Sequence, residues 1–166
     1  MVPEVNCYGK AAQLLAGRPH FRAELAAKLA RRSFPADEIA AVLDRLAEQG
    51  YLDDRKTAAD FIAHRRESCG EGRLRLRAEL VRRGAPAEAI DEALAGLDEE
   101  DDLEAARAAA ARAAKKDPAA LARHLARKGF SRRAIVAVLN EGPGGSAGLV
   151  PEGDEDAGFD EGFEPE

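Results

Sequence analysis

Tryptophan is absent from this chain, aromatic residues make up 5% of it, and its 45% hydrophobic content is chiefly alanine and leucine. Both are strong helix formers, so the scarcity of aromatics turns the reading toward helices. No apolar run reaches the roughly 18 residues of a membrane-spanning helix. The opening segment, MVPEVNCYGK, has no basic stretch followed by an apolar one, so no secretory signal is expected. Cys7 and Cys69, the two cysteines, lack CxxC spacing. Reduced thiols in the cytoplasm are the expectation. His20, His64 and His124 stand apart from the cysteines and from any spaced ligand set, so no metal site is expected. No glycine-rich loop carries a phosphate-binding lysine, which argues against a nucleotide cofactor. Catalysis has little to stand on, and the chain is not expected to be an enzyme.

What the sequence has is repetition. The stretch LARRSFPADEIAAVL, Leu29 to Leu43, returns as LVRRGAPAEAIDEAL, Leu80 to Leu94, and as LARKGFSRRAIVAVL, Leu125 to Leu139. No gap is needed to align the three. Leu29, Leu80 and Leu125 are equivalent, as are Ile39, Ile90 and Ile135, and Leu43, Leu94 and Leu139. Upstream, Leu25, Leu76 and Leu121 also fall in register. A period of this length marks tandem supersecondary units.

The net charge of −6 is unevenly spread. From Gly142 onward there are eight acidic residues and no basic one, so the preceding body carries all 25 cations against 23 carboxylates and is about +2. The tail also holds GPGGSAG, Pro143 and Pro151. It lacks the apolar surface to offset its ordering entropy and is expected to be disordered. Phe159 and Phe163 sit in its acidic surroundings. It reads either as a solubilising end or as an anionic decoy that competes for the basic face.

In chain order, the spacing predicts a helix from Val5 to Ala16 anchored by Leu14 and Leu15, then one from about Phe21 to Arg32 with Phe21, Leu25 and Leu29 in one stripe. Pro35 opens a third, which carries Ile39, Val42, Leu43 and Leu46. Tyr51 and Leu52 are expected as buried plugs between units, with Tyr51 stacking on a base as the other reading. Asp53 or Asp54 caps the next helix, which buries Ala58, Phe61 and Ile62. Another runs from Arg73 to Arg83, and Pro86 opens one carrying Ile90, Ala93, Leu94 and Leu97. The run Asp98 to Asp102 reads as a solvated linker before a helix from Leu103 to Lys116. Asp117-Pro118 then starts a helix that stops at Gly129, and Ser131 caps the last. The expected fold is all-α: three tandem three-helix repeats in an elongated curved array, residues 1–50, 51–97 and 98–141, followed by a disordered acidic tail, 142–166. Such units must stack on their neighbours, with room for bending between them.

The run GYLDD at Gly50 to Asp54, followed by Ala58, Phe61 and the pair Arg65-Arg66, resembles the RecX family. So do RLRLRAELVRRG, Arg73 to Gly84, and RAELAAKLARRSF, Arg22 to Phe34. The similarity covers about residues 8 to 140. It departs where Arg55-Lys56-Thr57-Ala58 replaces a basic residue followed by Phe-Ala, and where Ser33 stands in the place of Gly84 and Gly129. The resemblance implies a regulator, chiefly an inhibitor, of the RecA recombinase. It would lie along the RecA filament on single-stranded DNA, block its extension or promote its disassembly, and so modulate DNA repair, recombination and the SOS response.

The residues themselves supply a second lead. Arg31-Arg32, Arg82-Arg83 and Arg127-Lys128 occupy one place in each unit, the end of its second helix. Cations there oppose the negative helix end, at roughly 0.3–1 kcal/mol each. They also form a line that suits phosphate or an acidic protein groove. Arg73 and Arg77 extend it, as do Arg65, Arg66, Arg132 and Arg133. Contacts in three units add through effective concentration, and phosphate contacts weaken with salt. A helix-turn-helix transcription regulator is less attractive, because no helix combines Asn, Gln, Ser and Arg on one exposed face for base edges, and no dimerisation helix is evident. A helical adaptor that binds only protein is the other alternative. The chain is expected to act as a monomer.

Overall fold

A computed structural model describes residues 6–113 and 117–141, and among them there are nine α-helices and no strand. The first unit is α1 (Cys7–Gly17), α2 (Arg22–Ala30) and α3 (Ala36–Glu48). The second is α4 (Asp54–Cys69), α5 (Arg73–Arg82) and α6 (Ala87–Ala95). The third is α7 (Glu99–Ala113), α8 (Pro118–Lys128) and α9 (Arg132–Glu141). The expected all-α array of three-helix units is therefore what the chain forms.

Each unit closes around its own apolar cluster. Leu25, Leu29, Ile39, Leu43 and Leu46 meet Cys7 and Ala11 in the first. Leu76, Leu80, Ile90 and Leu94 meet Ala58 and Ile62 in the second. Leu125, Phe130, Ala134 and Val138 meet Ala106 and Ala109 in the third. The i, i+4 spacing of the duplicated leucines puts them on one helix face, and in the first two units that face is the buried one. In the third, Leu121, Ile135 and Leu139 are half-buried, and α9 buries Ala134 and Val138 instead. Extensive helix-on-helix packing stays inside the units, so the units are joined by helix ends and single side chains.

Two plugs cross the first boundary in opposite directions. Phe21, just before α2, is fully buried in the second unit's cluster. Leu52, just before α4, is buried in the first unit's.

Several expectations need correction. Tyr51 is 66% exposed rather than a buried plug. Its backbone N–H is taken by the Leu46 carbonyl in the turn that closes α3, and this leaves the ring outside. Helix α7 begins at Glu99, four residues before Leu103, so the acidic run is its first turn. Carboxylates favour that end because of the helix dipole. Asp102 within it is buried, at 5% exposure. In α1 the deepest residues are Cys7 and Ala11, with Leu14 and Leu15 half-buried. Burial pushes the Cys7 thiol pKa up, with Glu38 adding to it. Val5, the stretch 114–116 and the tail 142–166 lie outside the described residues.

A cationic spine and the junctions between units

The second helices of the three units run end to end. The N-terminus of α5 meets the C-terminus of α8: Gly72 donates to the Lys128 carbonyl at 2.8 Å and Leu74 to the Gly129 carbonyl at 3.0 Å. A helix start has spare N–H groups and a helix end spare carbonyls, so each end satisfies the other. The approach is too close for side chains. A Cβ on Gly72 would lie 2.4 Å from the Gly129 oxygen, and one on Gly129 would lie 2.4 Å from the Arg75 nitrogen. The C-terminus of α5 meets the start of α2 in the same way, but Phe21 stands where Gly72 stands, and side chains replace the backbone bridge.

Each start is also capped by a carboxylate from the following unit. Asp54 accepts the Arg22 N–H at 2.8 Å, and Asp102 accepts the Arg73 N–H at 3.0 Å. Asp54 does this while Asp53 caps its own helix through the Lys56 N–H at 2.9 Å. Burial raises the Asp54 pKa, and the bond from the Arg22 N–H opposes it.

The second member of each repeated basic pair works at these joints. Arg83, with 15% side-chain exposure, donates to the Pro19 carbonyl at 3.0 Å and to Glu24 at 3.2 Å. Its guanidinium also lies 5.0 Å from the Phe21 ring centre and 5.1 Å from that of Phe61. Lys128 donates from Nζ to the Cys69 carbonyl, one residue before the position that matches Pro19 in the second unit. The Arg32 guanidinium instead turns back onto the Lys28 carbonyl of its own unit at 2.8 Å.

The first member of each pair points outward. Arg31, Arg82 and Arg127 are all exposed. Arg82 touches only Glu79 of its own helix turn, at 2.5 Å and 3.0 Å, and this bond lowers the Glu79 pKa. The side chains of Arg31 and Arg127 make no ion pair or hydrogen bond among the described residues.

The other nominated cations divide similarly. Arg65 is bidentate to the buried Glu71, at 2.5 Å and 2.8 Å, and that bond raises its pKa. Arg66 reaches the Asp101 carbonyl at 2.6 Å and Asp102 at 3.4 Å. Arg73 donates to the Leu97 carbonyl at 2.5 Å. These three are tied into the fold. Arg77 pairs with Asp91 at 2.9 Å and remains 51% exposed. Arg133 pairs with Glu99 and is 80% exposed. Arg132 is exposed with no partner among the described residues.

Glu24 was not among the residues nominated from the sequence. It lies in the first turn of α2 with 15% side-chain exposure, gathering Arg18, Lys28 at 3.2 Å and Arg83 at 3.2 Å. Burial alone would raise its pKa, but the bonds from Arg18, Lys28 and Arg83 outweigh it and bring it down to about 2.

Known families now bear on the reading. The model described as the first three-helix domain of RecX matches residues 7–46, and that of the second matches 53–94. A "Regulatory protein RecX" of Leptothrix cholodnii is 36% identical over 143 residues, covering 82% of this chain and 89% of the relative. The chain belongs to the RecX family. A "Regulatory protein RecX" of Mycolicibacterium vanbaalenii is 48% identical over 86 residues, covering 52% of this chain. That match spans about half of the relative's own length, 47%. The crystal structure of RecX from Lactobacillus salivarius superposes with a TM-score of 0.71 over 81% of this chain and 93% of that one, at 19% identity. At that identity the likeness concerns the fold. The nine helices described above are thus a RecX fold, and the two matched RecX domains meet at the Arg83–Glu24 joint.

Proposed function

We propose that this RecX-family chain regulates the RecA recombinase, chiefly as an inhibitor. It seats along the RecA filament on single-stranded DNA and blocks filament extension or promotes its loss. The observation that carries this reading is the exposed row Arg31, Arg82 and Arg127, one residue per unit at the same repeat position. Arg77, Arg132 and Arg133 add exposed cations to it.

One exposed cation at the same repeat position in each unit suits a ligand that repeats along an axis, and three weak contacts reinforce one another. Helix α5 adds an apolar component. Leu74 and Val81 are 57% and 60% exposed at i and i+7, with exposed Ala78 between them. Apolar side chains beside cations favour a protein groove flanked by phosphates over naked nucleic acid. Single-stranded DNA alone is then a weak, salt-sensitive ligand. The acting species is a monomer in the cytoplasm, with no cofactor.

The test is DNA-dependent ATP hydrolysis by RecA on single-stranded DNA. Substoichiometric amounts of the chain should suppress it. Full hydrolysis at an equimolar dose would refute the proposal. Binding to RecA without DNA and without any effect on hydrolysis would indicate a plain adaptor.

A further inference from the structure

Where the end of α5 meets α2 there is an open groove lined by Ala23, Ala27, Gly84 and the half-buried Phe61. Arg18, Lys28, Arg31, Arg82 and Arg83 line it as well. Against these five cations stand two carboxylates. Glu24 is shared by Arg18, Lys28 and Arg83, and Glu79 is held by Arg82. The groove is therefore net positive, Arg31 makes no ion pair or hydrogen bond among the described residues, and apolar side chains stand among the cations. Such a site selects a segment with aromatic side chains set among carboxylates.

The chain contains one such segment. Phe159-Asp160-Glu161 and Phe163-Glu164 are the aromatic positions of a stretch, 142–166, with eight carboxylates and no cation. Elsewhere the phenylalanines are Phe21, Phe34, Phe61 and Phe130, all within the helical body. We propose that Phe159 to Glu164 docks in cis in the α2–α5 groove, with a phenylalanine on Ala23, Ala27 and Phe61 and carboxylates on Arg18, Lys28, Arg31 and Arg82. Docking there covers two of the three outward cations, Arg31 and Arg82, so it restrains the binding row. This regulatory consequence rests on the filament reading, but the contact does not.

Reach is sufficient. The 18 residues from Glu141 to Phe159 extend at most to about 60 Å, and the 10-residue α5 that separates the third unit from the groove is about 15 Å long. A tether of this length gives an effective concentration on the order of 1 mM. A contact with a dissociation constant near 0.1 mM is then mostly closed in cis, while a free acidic peptide at micromolar concentration does not compete.

The contact is tested in the full chain with p-benzoylphenylalanine in place of Phe159, irradiated at micromolar concentration. Intramolecular cross-links should map to residues 18–31 and 61–84, and the double variant Arg31→Glu, Arg82→Glu should reduce their yield several-fold. Cross-links elsewhere, links between two chains, or a yield indifferent to the arginines would overturn the proposal. A second measurement uses dT25 at low salt. Phe159→Ser with Phe163→Ser keeps every charge and should tighten binding at least fivefold. An unchanged affinity would mean that the tail acts by charge alone and would also overturn it. A chain that gives the mapped cross-link yet leaves RecA untouched refutes the filament reading and keeps the docking. One that inhibits RecA without the cross-link does the reverse.

Discussion

Arg83 reaches Glu24 at 3.2 Å across 59 positions of chain, and its guanidinium lies on Phe21 in the same pose. One side chain thus binds the carboxylate and the aromatic plug of the preceding unit. Removing it leaves the Pro19 carbonyl with the Arg18 guanidinium alone, at 3.0 Å, and Glu24 with two cations. Arg83→Ala should cost about 1–3 kcal/mol, read as a lower denaturation midpoint, and Arg83→Lys should recover only part because the flat stack on two rings is lost.

The Glu24 carboxylate gives that joint a pH signature. Its folded pKa, about 2, lies below its unfolded value of 4.5. The ionised form is therefore favoured by folding, and the stability it contributes is present above pH 4.5 and lost as the pH falls toward 2. Glu24→Gln should lower stability at pH 7 and flatten the slope of stability against pH between 4.5 and 2. A variant whose acid slope matched that of the parent chain would show that Glu24 is not the titrating group.

His20 acts in a separate window. It is 3% exposed, its Nδ1 lies 2.8 Å from the Arg18 carbonyl, and its Nε2 lies 2.7 Å from Lys28 Nζ. The carbonyl needs a donor and the ammonium an acceptor, so the ring is neutral with its proton on Nδ1. Burial lowers its pKa below 6.5, and the charges of Arg18 and Lys28 act in the same direction, against the carbonyl bond and Glu24. The neutral form is favoured by folding. Its contribution is complete above pH 6.5 and is lost as the pH falls through the lowered folded value. Thermal midpoints should start to decline below pH 6.5, and His20→Gln should remove that first decline.

The backbone at the repeat corner makes a prediction of opposite sign in different units. Ser33, Gly84 and Gly129 are equivalent, and all have positive φ: 63°, 78° and 81°. Left-handed backbone strains a serine and not a glycine. Ser33→Gly should therefore stabilise the chain by about 0.5–1 kcal/mol. Gly129→Ala should destabilise it by more than that, because the new Cβ meets Arg75 backbone at 2.4 Å on top of the strained φ. Gly84→Ala should fall between, its Cβ meeting only the Ala23 Cβ at 3.3 Å. The serine is tolerated in the first unit because that corner is exposed. Chemical denaturation of the three variants gives the order directly.

These joints mark the boundary of what was legible in the sequence. Leu25, Leu29, Ile39 and Leu43 announce their burial by spacing, and so do their equivalents in the second unit, because a helix turns a linear period into a face. Of the equivalents in the third unit only Leu125 is fully buried, and α9 buries Ala134 and Val138 one position before Ile135 and Leu139. The caps between units carry no such period. Asp54 follows the anchor Leu52 by two residues, whereas Asp102 precedes the matching Leu103 by one, so the register that aligns the leucines separates the aspartates. Asp102 was hidden further by the solvated look of its acidic neighbours. Tyr51 misled for the opposite reason: its neighbour Leu52 is buried, and adjacent residues at the start of a helix face different ways.

The basic pair is the clearest case, because spacing located it and geometry divided it. Both members lie at a helix end, where the dipole favours cations, yet a helix turns by roughly 100° between neighbours. The two members therefore face different ways, and one can turn inward while the other faces out. The inward members, Arg83 and Lys128, bond carbonyls of the preceding unit, while Arg31, Arg82 and Arg127 face solvent. Charge reversal should separate the two sets. Arg31→Glu, Arg82→Glu and Arg127→Glu should leave the thermal midpoint within a degree or two while weakening inhibition of RecA-dependent ATP hydrolysis stepwise, with each change lowering the salt slope of dT25 binding by about one. Lys128→Met should do the reverse: a lower midpoint and faster amide exchange in α8, because the Cys69 carbonyl loses its donor, with inhibition at low temperature kept. Equal loss of inhibition from both sets, at matched stability, would mean that the inward cations leave their carbonyls to contact the partner, and the division of labour proposed for the pair would fall.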